Sequence, residues 1–200
     1  MGKTDMPWDQ LCLIAIGANA PSPEGCPART IEAALADLDE GPAGPGRIAA
    51  VSRMYRTPAF PPGSGPDFVN AAAALRMVGQ ADAVLARLHA VEARYGRARR
   101  VRWGQRTLDL DLIAIGEAVL PDLETYLRWR DLDPEAQRSR APDRLILPHP
   151  RMQDRAFVLV PLAGIIGEIA PNWRHPVLGQ SVQEMLEALP REDVESVQPI

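Results

Sequence analysis

The fold is decided by one stretch of the chain, Arg106-Thr107-Leu108-Asp109-Leu110-Asp111-Leu112-Ile113-Ala114-Ile115. Apolar and polar residues alternate at first, and the remainder is wholly apolar. This pattern predicts a central β-strand with one end emerging at the edge of a sheet. Because alternate residues of a strand share a face, Asp109 and Asp111 should point the same way, roughly 6–7 Å apart. The opposite face, formed by Leu108, Leu110 and Leu112, should turn toward the core.

A cluster of positive charge precedes this strand. Five arginines occur within ten residues, at positions 97, 99, 100, 102 and 106, although the whole chain carries a formal net charge of -4. Guanidinium groups hold phosphate oxygens, and two neighbouring carboxylates repel each other unless a cation lies between them. Mg²⁺ suits such a pair because it takes one or two carboxylates and completes its shell with phosphates and water. The sequence therefore predicts a local magnesium and polyphosphate site. The alternative is a solvated strand face on which the aspartates pair with the arginines.

The composition indicates one globular domain. The chain has 200 residues, of which 46% are hydrophobic and 24% charged, and this is long enough to bury a core. No apolar run is long enough to span a membrane, and the N-terminus lacks the apolar stretch of a secretory signal. Cys12 and Cys26 form no disulfide framework, and the 3 histidines are too scattered for a zinc site. We therefore expect a cytoplasmic monomer with two free thiols and with no membrane or nucleic-acid partner.

The remaining periodicities predict an ordered series of strands and helices. Apolar runs indicate strands at residues 11–16, 48–55 and 68–77, and helical spacing indicates helices at residues 31–38 and 81–95. Together with the aspartate strand this gives the order βαββαβ, which is typical of a ferredoxin-like α+β sandwich. Such a fold has an antiparallel sheet with helices on one face, here followed by a C-terminal extension. Residues 121–143 differ in composition, and we interpret them as a surface insertion, either a short helix or a mobile flap. A capping box at Ser181 predicts a further helix.

Four blocks of the sequence resemble 6-hydroxymethyl-7,8-dihydropterin pyrophosphokinase, an enzyme family of folate biosynthesis. They comprise residues 15–19, residues 55–58 with 66–72, residues 96–111, and residues 147–157. The third block is the most specific, because it contains Arg-Trp-Gly-Gln-Arg-Thr-Leu-Asp-Leu-Asp. The resemblance implies that residues 1–200 form a single pterin- and ATP-binding domain. It also implies a Mg²⁺-dependent transferase, with two metal ions, that moves the β,γ-diphosphate of ATP to the pterin hydroxymethyl group and releases AMP.

The resemblance further implies which residues form the site. The catalytic residues are Arg97, Arg106, Asp109 and Asp111, and the two aspartates also bind the metal. The residues around ATP are Glu92, Arg97, Arg99, Trp103, Arg106, Arg144, His149 and Arg155. The residues around the pterin are Thr57, Pro58, Phe60, Phe68, Asn70 and Phe157, with stacking assigned to Phe68 and Phe157. The sequence itself supports part of this set, because Phe68 and Asn70 share a strand face by the period of two.

Other interpretations of these features stay open from the sequence. A phenylalanine taken singly packs in a core more often than on a ligand, and Asn19 and Asn70 could satisfy local turns. His149 lies between two prolines and could be a plain turn residue, and Trp103 could pack its own loop. At the level of function the alternative is an RNA-binding module, since ferredoxin-like sheets also bind RNA. The acidic chain and the two aspartates oppose that alternative, and the phosphate-binding loop of conventional phosphotransferases is absent from the sequence.

Overall fold

An antiparallel sheet is the frame on which the other elements pack. The structure is a computed structural model that describes residues 10–39, 46–59, 63, 65–96, 106–133, 135–136 and 140–200. Its strands are β1 (Gln10–Ala18), β2 (Gly46–Val51), β3 (Tyr55–Thr57), β4 (Phe68–Met77), β5 (Asp109–Ile115) and β6 (Gln198–Pro199). Its helices are α1 (Pro27–Leu38), α2 (Ala81–Arg94), α3 (Leu123–Arg130), α4 (Ala156–Ile169), α5 (Val182–Glu187) and α6 (Arg191–Glu195), with a 3₁₀ turn at Met152–Asp154. The strand order is β5-β1-β4-β3-β6, and β2 also pairs with β4.

The order of elements confirms the predicted ferredoxin-like core, although its second strand is divided. The single strand expected at residues 48–55 is interrupted at Ser52, where the backbone N–H donates to the Ala72 carbonyl at 2.9 Å. The Ser52 hydroxyl then accepts from the Ala72 N–H, also at 2.9 Å, in place of a backbone carbonyl. Because a side chain supplies this bond, the backbone departs from strand geometry there. Strands β2 and β3 therefore pair with successive parts of β4 as two halves of one strand.

Strand β5 lies at one end of the sheet, so the prediction of a central strand is wrong. Its apolar run has another cause, which is that helices cover both of its faces. Leu110 and Leu112 pack in the layer of α1 and α2, and Ile113 packs in the layer of α4. Two contacts from other elements also hold the strand. The His149 N–H donates to the Ile113 carbonyl at 2.7 Å, and a carboxylate oxygen of Glu92 accepts from the Leu110 N–H at 2.7 Å.

Helices pack on both faces of the sheet. The two helices of the predicted core, α1 and α2, share one face, as expected, and they bury the leucines of β5 there. The C-terminal extension covers the opposite face with α4 and α5. Strand β4 contributes small side chains to both layers, because Ala71 and Ala73 pack in the first layer while Ala72 and Ala74 pack in the second. None of the helices in the described parts of the chain has the length and apolar character needed to cross a bilayer.

A short helix, one of the two forms expected for residues 121–143, is present as α3, and it is docked on the C-terminal extension. Asp122 caps this helix by accepting from the Thr125 N–H at 2.8 Å. The Tyr126 side chain is fully buried, and its hydroxyl lies 3.1 Å from Nε2 of His175, which is also fully buried. Trp173 lies beside His175 and donates from its indole N–H to the Gly116 carbonyl at 2.9 Å. This part of the insertion is thus joined to the body of the protein by a buried aromatic cluster.

Candidate active site

The two aspartates of β5 project from the same face of the strand, as the alternation predicted. Leu110 between them faces α1 and α2, so Asp109 and Asp111 face the layer of α4. Their side chains are 14% and 38% exposed, respectively, so both side chains are accessible to solvent and neither is enclosed in the apolar core. In the sheet register Asp109 pairs with Gly17 and Asp111 pairs with Ala15. The carboxylates therefore stand beside the end of β1, at the point where the start of α4 approaches.

Each aspartate has an arginine partner in the structure. A guanidinium nitrogen of Arg106 contacts Oδ2 of Asp109, and Nη1 of Arg155 lies 3.6 Å from Oδ2 of Asp111. Burial lowers the pKa of Arg155 from its ordinary value, while the charge on Asp111 acts in the opposite direction. Both ion pairs match the sequence alternative of aspartates paired with arginines. The same arrangement places two cations, which could hold phosphate oxygens, beside two carboxylates, which could hold a metal ion.

The carboxylate pair could hold a magnesium ion with help from a ligand. No group of three or more histidine, cysteine, aspartate or glutamate side chains placed to hold a metal occurs in the described ranges. A site for zinc would need more protein ligands than this. Mg²⁺ differs because it binds through one or two carboxylates and takes its remaining oxygens from phosphate groups and water. The donor set of Asp109 and Asp111 therefore fits magnesium bound together with a polyphosphate.

Polar and aromatic side chains gather on the same sheet face beside the carboxylates. Asn70 donates from Nδ2 to Oγ1 of Thr57 at 2.7 Å, and the two residues are 5% and 7% exposed. Phe68 pairs with Thr57 across the two strands and lies two residues before Asn70, so all three side chains share one face. A flat polar ring would find there an aromatic surface beside an amide and a hydroxyl. Pro58 follows Thr57 and is exposed.

Gly17, which has no side chain, lies between this polar group and the carboxylates. Asn70, Gly17 and Asp109 lie in register on three adjacent strands, so they form one row across the sheet. At the normal spacing of strands, the outer two residues are roughly 10 Å apart. A Cβ at Gly17 would lie 3.1 Å from Oδ1 of Asn70 and 3.8 Å from Cδ1 of Phe68. Because Gly17 has no side chain, Asn70 and Phe68 can approach this point of β1 closely.

His149, Arg155 and Phe157 border the site from the side of α4. Nδ1 of His149 accepts from the Arg151 N–H at 3.2 Å, so the neutral ring carries its proton on Nε2. Burial, together with the charges of Arg155 and Arg151, lowers the pKa of His149 well below its usual range. The Arg155 guanidinium lies 5.6 Å from the centroid of the Phe157 ring, which is 39% exposed. His149 is thus a neutral hydrogen-bond donor next to two cations, and Phe157 offers an accessible ring.

The remaining residues expected near ATP have different positions. Glu92 is only 2% exposed, and its carboxylate bonds to the backbone N–H of Leu110, so it supports β5 between the two aspartates from the other face. Arg144 has a 62% exposed side chain that lies 3.6 Å from Asp143. Four predicted site residues lie outside the described residues, namely Phe60, Arg97, Arg99 and Trp103.

Asn19 makes hydrogen bonds within the site that the sequence did not predict. The Asn19 side chain accepts from the Arg106 N–H at 2.8 Å and donates to the Pro66 carbonyl at 3.1 Å. These bonds join two loops that are far apart in sequence, so the alternative that the Asn19 side chain satisfies a local turn does not hold. The available signal was a polar residue placed directly after a buried strand, and that signal alone does not specify its partners.

Comparison with known proteins agrees with this geometry. The family described as 7,8-dihydro-6-hydroxymethylpterin-pyrophosphokinase (HPPK) has a model that matches residues 13–167. The chain belongs to the HPPK family. The resemblance drawn from the sequence blocks is therefore confirmed, and HPPK membership favours an enzyme over the RNA-binding alternative.

Several HPPK relatives carry the name 2-amino-4-hydroxy-6-hydroxymethyldihydropteridine pyrophosphokinase. The protein from Synechocystis sp. is 37% identical over 153 residues, which cover 76% of this chain and 64% of the relative. The protein from Pseudomonas aeruginosa is 37% identical over 186 residues, which cover 93% of this chain and 96% of the relative. The chain thus spans slightly less than two thirds of the first relative and nearly all of the second.

Solved structures of HPPK proteins share the fold. The crystal structure of wild-type Plasmodium falciparum HPPK-DHPS has a TM-score of 0.60 to this chain at 14% sequence identity. The match covers 92% of this chain and 42% of that chain. At this identity the likeness establishes the common architecture.

Proposed function

We propose that this chain transfers the β,γ-diphosphate of ATP to 6-hydroxymethyl-7,8-dihydropterin in folate biosynthesis, with release of AMP. The observation that carries the proposal is the row formed by Asn70, Gly17 and Asp109 on one face of the sheet. The proposed ring-binding group lies at one end of the row and the proposed metal-binding group lies at the other, with a residue that has no side chain between them. Two substrates bound at the ends could meet above Gly17.

The ring-binding end suits a pterin. Phe68 and Phe157 would stack on its two sides, because the first is on β4 and the second on the start of α4, which packs over the same sheet face. Asn70 donates from its amide to Thr57, so Oδ1 of Asn70 remains able to accept from a ring N–H. That oxygen faces the space above Gly17, as its 3.1 Å distance from a Cβ placed there indicates. The backbone near Phe60 would add further edge contacts, as the family resemblance implies.

The other end suits the triphosphate of ATP. When bound, Mg²⁺ would supply charge neutralisation and orientation of the phosphates on Asp109 and Asp111, and we propose two ions there. Arg106 and Arg155 contact these aspartates and could turn their free N–H groups to phosphate oxygens. The His149 Nε2–H would donate to a further phosphate oxygen, since its Nδ1 is already engaged. Arg97, Arg99, Trp103 and Arg144 are proposed around the nucleotide from the family resemblance.

The reaction is an in-line displacement at the β-phosphorus. The hydroxymethyl oxygen forms a bond to this phosphorus, and the bond from the phosphorus to the oxygen bridging it to the α-phosphate breaks. AMP leaves with that bridging oxygen, and the hydroxyl proton is lost. Arg106 and Arg155 stabilise the negative charge that accumulates on the transferring group and on AMP. Asp111, the more exposed carboxylate, is the candidate acceptor for the proton.

Product analysis tests this function directly. The purified chain is incubated with ATP, Mg²⁺ and 6-hydroxymethyl-7,8-dihydropterin, and the nucleotides are separated by chromatography. We expect AMP and the pterin diphosphate in equal amounts. Formation of ADP would indicate transfer of a single phosphate and would contradict the proposal. A reaction without the pterin is the control for hydrolysis of ATP. Action as a cytoplasmic monomer stays a prediction from the sequence.

A further inference from the structure

Asn19 is positioned between the two halves of the proposed site. It follows β1 directly, is 5% exposed, and uses both ends of its carboxamide. Its Oδ1 accepts from the Arg106 N–H at 2.8 Å, and its Nδ2 donates to the Pro66 carbonyl at 3.1 Å. The Asn19 backbone N–H also donates to the Arg106 carbonyl at 2.9 Å. Three hydrogen bonds thus fix Asn19 against two separate loops.

Each of these loops leads into one half of the site. Pro66 lies two residues before Phe68, which begins β4 and faces the proposed pterin position. Arg106 lies three residues before Asp109, and its guanidinium contacts that carboxylate. Strands β4 and β5 do not pair with each other, because β1 lies between them. A side chain at the end of β1 can therefore reach the loops that enter both outer strands.

We infer that Asn19 is a positioning residue that sets the distance between the pterin-binding loop and the phosphate-binding loop. The inference rests on the proposed diphosphate transfer. In such a transfer two substrates must be held at reacting distance, and a displacement of about 1 Å can reduce the rate roughly a hundredfold. The carboxamide does not touch the reacting atoms. It acts through Pro66 and Arg106, whose positions it holds relative to each other.

The chemistry of the two bonds explains why an amide is required. One loop presents a donor, the Arg106 N–H, and the other presents an acceptor, the Pro66 carbonyl. Only a side chain with an acceptor and a donor on one planar group can satisfy both. In the variant Asn19→Asp, one carboxylate oxygen still accepts from Arg106, but the other faces the Pro66 carbonyl without a hydrogen to share. Asn19→Asp therefore removes the bond to the pterin side selectively, whereas Asn19→Ala removes both side-chain bonds and keeps the backbone bond from residue 19 to the Arg106 carbonyl.

The test compares binding of single ligands with turnover. The wild type is assayed first, and if it forms no AMP, the proposed function itself fails. For each variant we measure kcat, both KM values, and the dissociation constants of the pterin alone and of α,β-methylene-ATP with Mg²⁺ alone. The Asn19 hydrogen bonds position the two loops and do not contact either ligand. Asn19→Asp should therefore retain the dissociation constant of each single ligand within about threefold, while kcat falls by about tenfold or more. Asn19→Ala should lose at least as much kcat.

A matched control removes a buried hydrogen bond elsewhere. Tyr126→Phe deletes the bond to His175 between two elements outside the site, and it should leave kcat within about twofold of the wild type. A kcat of Asn19→Asp within twofold of the wild type would overturn the inference. A loss of single-ligand binding equal to the loss of kcat would also overturn it, because Asn19 would then support a binding surface and not a distance. If Asn19→Asp is unfolded by circular dichroism, Asn19→Ala decides by the same criteria, and unfolding of both variants would mean that Asn19 is purely structural.

Discussion

Replacement of Gly17 by alanine tests the row of Asn70, Gly17 and Asp109 at the centre of the proposed site. The added methyl would lie 3.1 Å from Oδ1 of Asn70 and 3.8 Å from Cδ1 of Phe68. The first distance is a few tenths of an ångström shorter than an ordinary contact, so Asn70 must shift by that amount. The methyl would also stand between Asn70 and Asp109, where we propose that the pterin hydroxymethyl group meets the phosphates.

The expected cost falls on activity and not on the fold. Alanine is preferred over glycine inside a strand by about 0.5–1 kcal/mol, and displacing the Asn70 side chain costs a similar 0.5–1.5 kcal/mol. The free energy of unfolding should therefore stay within about 1 kcal/mol of the wild type. The kcat/KM for the pterin should fall roughly 10- to 100-fold, because the added methyl displaces the pterin hydroxymethyl group from its reacting position. Binding of the ATP analogue should change little, since the methyl lies on the pterin side of Asp109.

The assay is AMP formation at varied pterin concentration, with unfolding by urea measured in parallel. Gly167→Ala is the matched control, since Gly167 is an exposed position of α4 where an added Cβ meets no atom within 4 Å. That change should raise helix stability by about 0.5–1 kcal/mol and leave turnover unaltered. If Gly17→Ala is folded and its kcat/KM for the pterin is within twofold of the wild type, the row is not the path between the substrates.

Three further predictions concern other residues of the molecule. Asp109→Asn and Asp111→Asn should each retain the fold and lower kcat by roughly a hundredfold or more, because the charge that holds Mg²⁺ is lost; a double variant with normal turnover would refute the metal site. Tyr126→Phe should reduce the free energy of unfolding by about 1–3 kcal/mol, since the Nε2–H of His175 loses its acceptor; a urea midpoint equal to that of the wild type would contradict this. Burial lowers the pKa of His175 to about 4, so the unfolded state takes up its proton first as the pH falls. The contribution of neutral His175 to the free energy of unfolding is fully present above pH 6.5 and is lost between pH 6.5 and 4, by roughly 3 kcal/mol in all. The variant His175→Gln should therefore show a smaller change in the free energy of unfolding over this pH range.

The sequence predicted those parts of the fold that depend on local periodicity. The alternation around Asp109 and Asp111 was enough to set both carboxylates on one face, because side-chain direction in a strand depends only on its own backbone. The position of β5 in the sheet was not predictable in this way. A strand covered on both faces is apolar whether it is central or terminal. The two cases differ in the number of neighbouring strands, and in the described sheet β5 has β1 as its single neighbour.

The sequence did not predict the contacts between distant parts of the chain. Asn19 bonds to Pro66 and Arg106, which are 47 and 87 residues away, and no local pattern encodes such partners. Tyr126 was hidden in a segment whose composition is polar, although its own side chain is fully buried. In both cases a single side chain fixes the relation between elements, and its role emerges only when those elements have been assembled. The matching blocks, by contrast, named the residues around the proposed substrates because they preserve identity and spacing together.

The buried pair of Tyr126 and His175 makes two peripheral segments dependent on each other. A homologue that lost α3 would expose the imidazole and the neighbouring Trp173 to solvent, and one that lost the chain beyond α4 would leave the phenol without its cover. We therefore expect the two segments to be gained and lost as a unit among related enzymes, and shortening only one of them in an engineered form should lower the stability of the other.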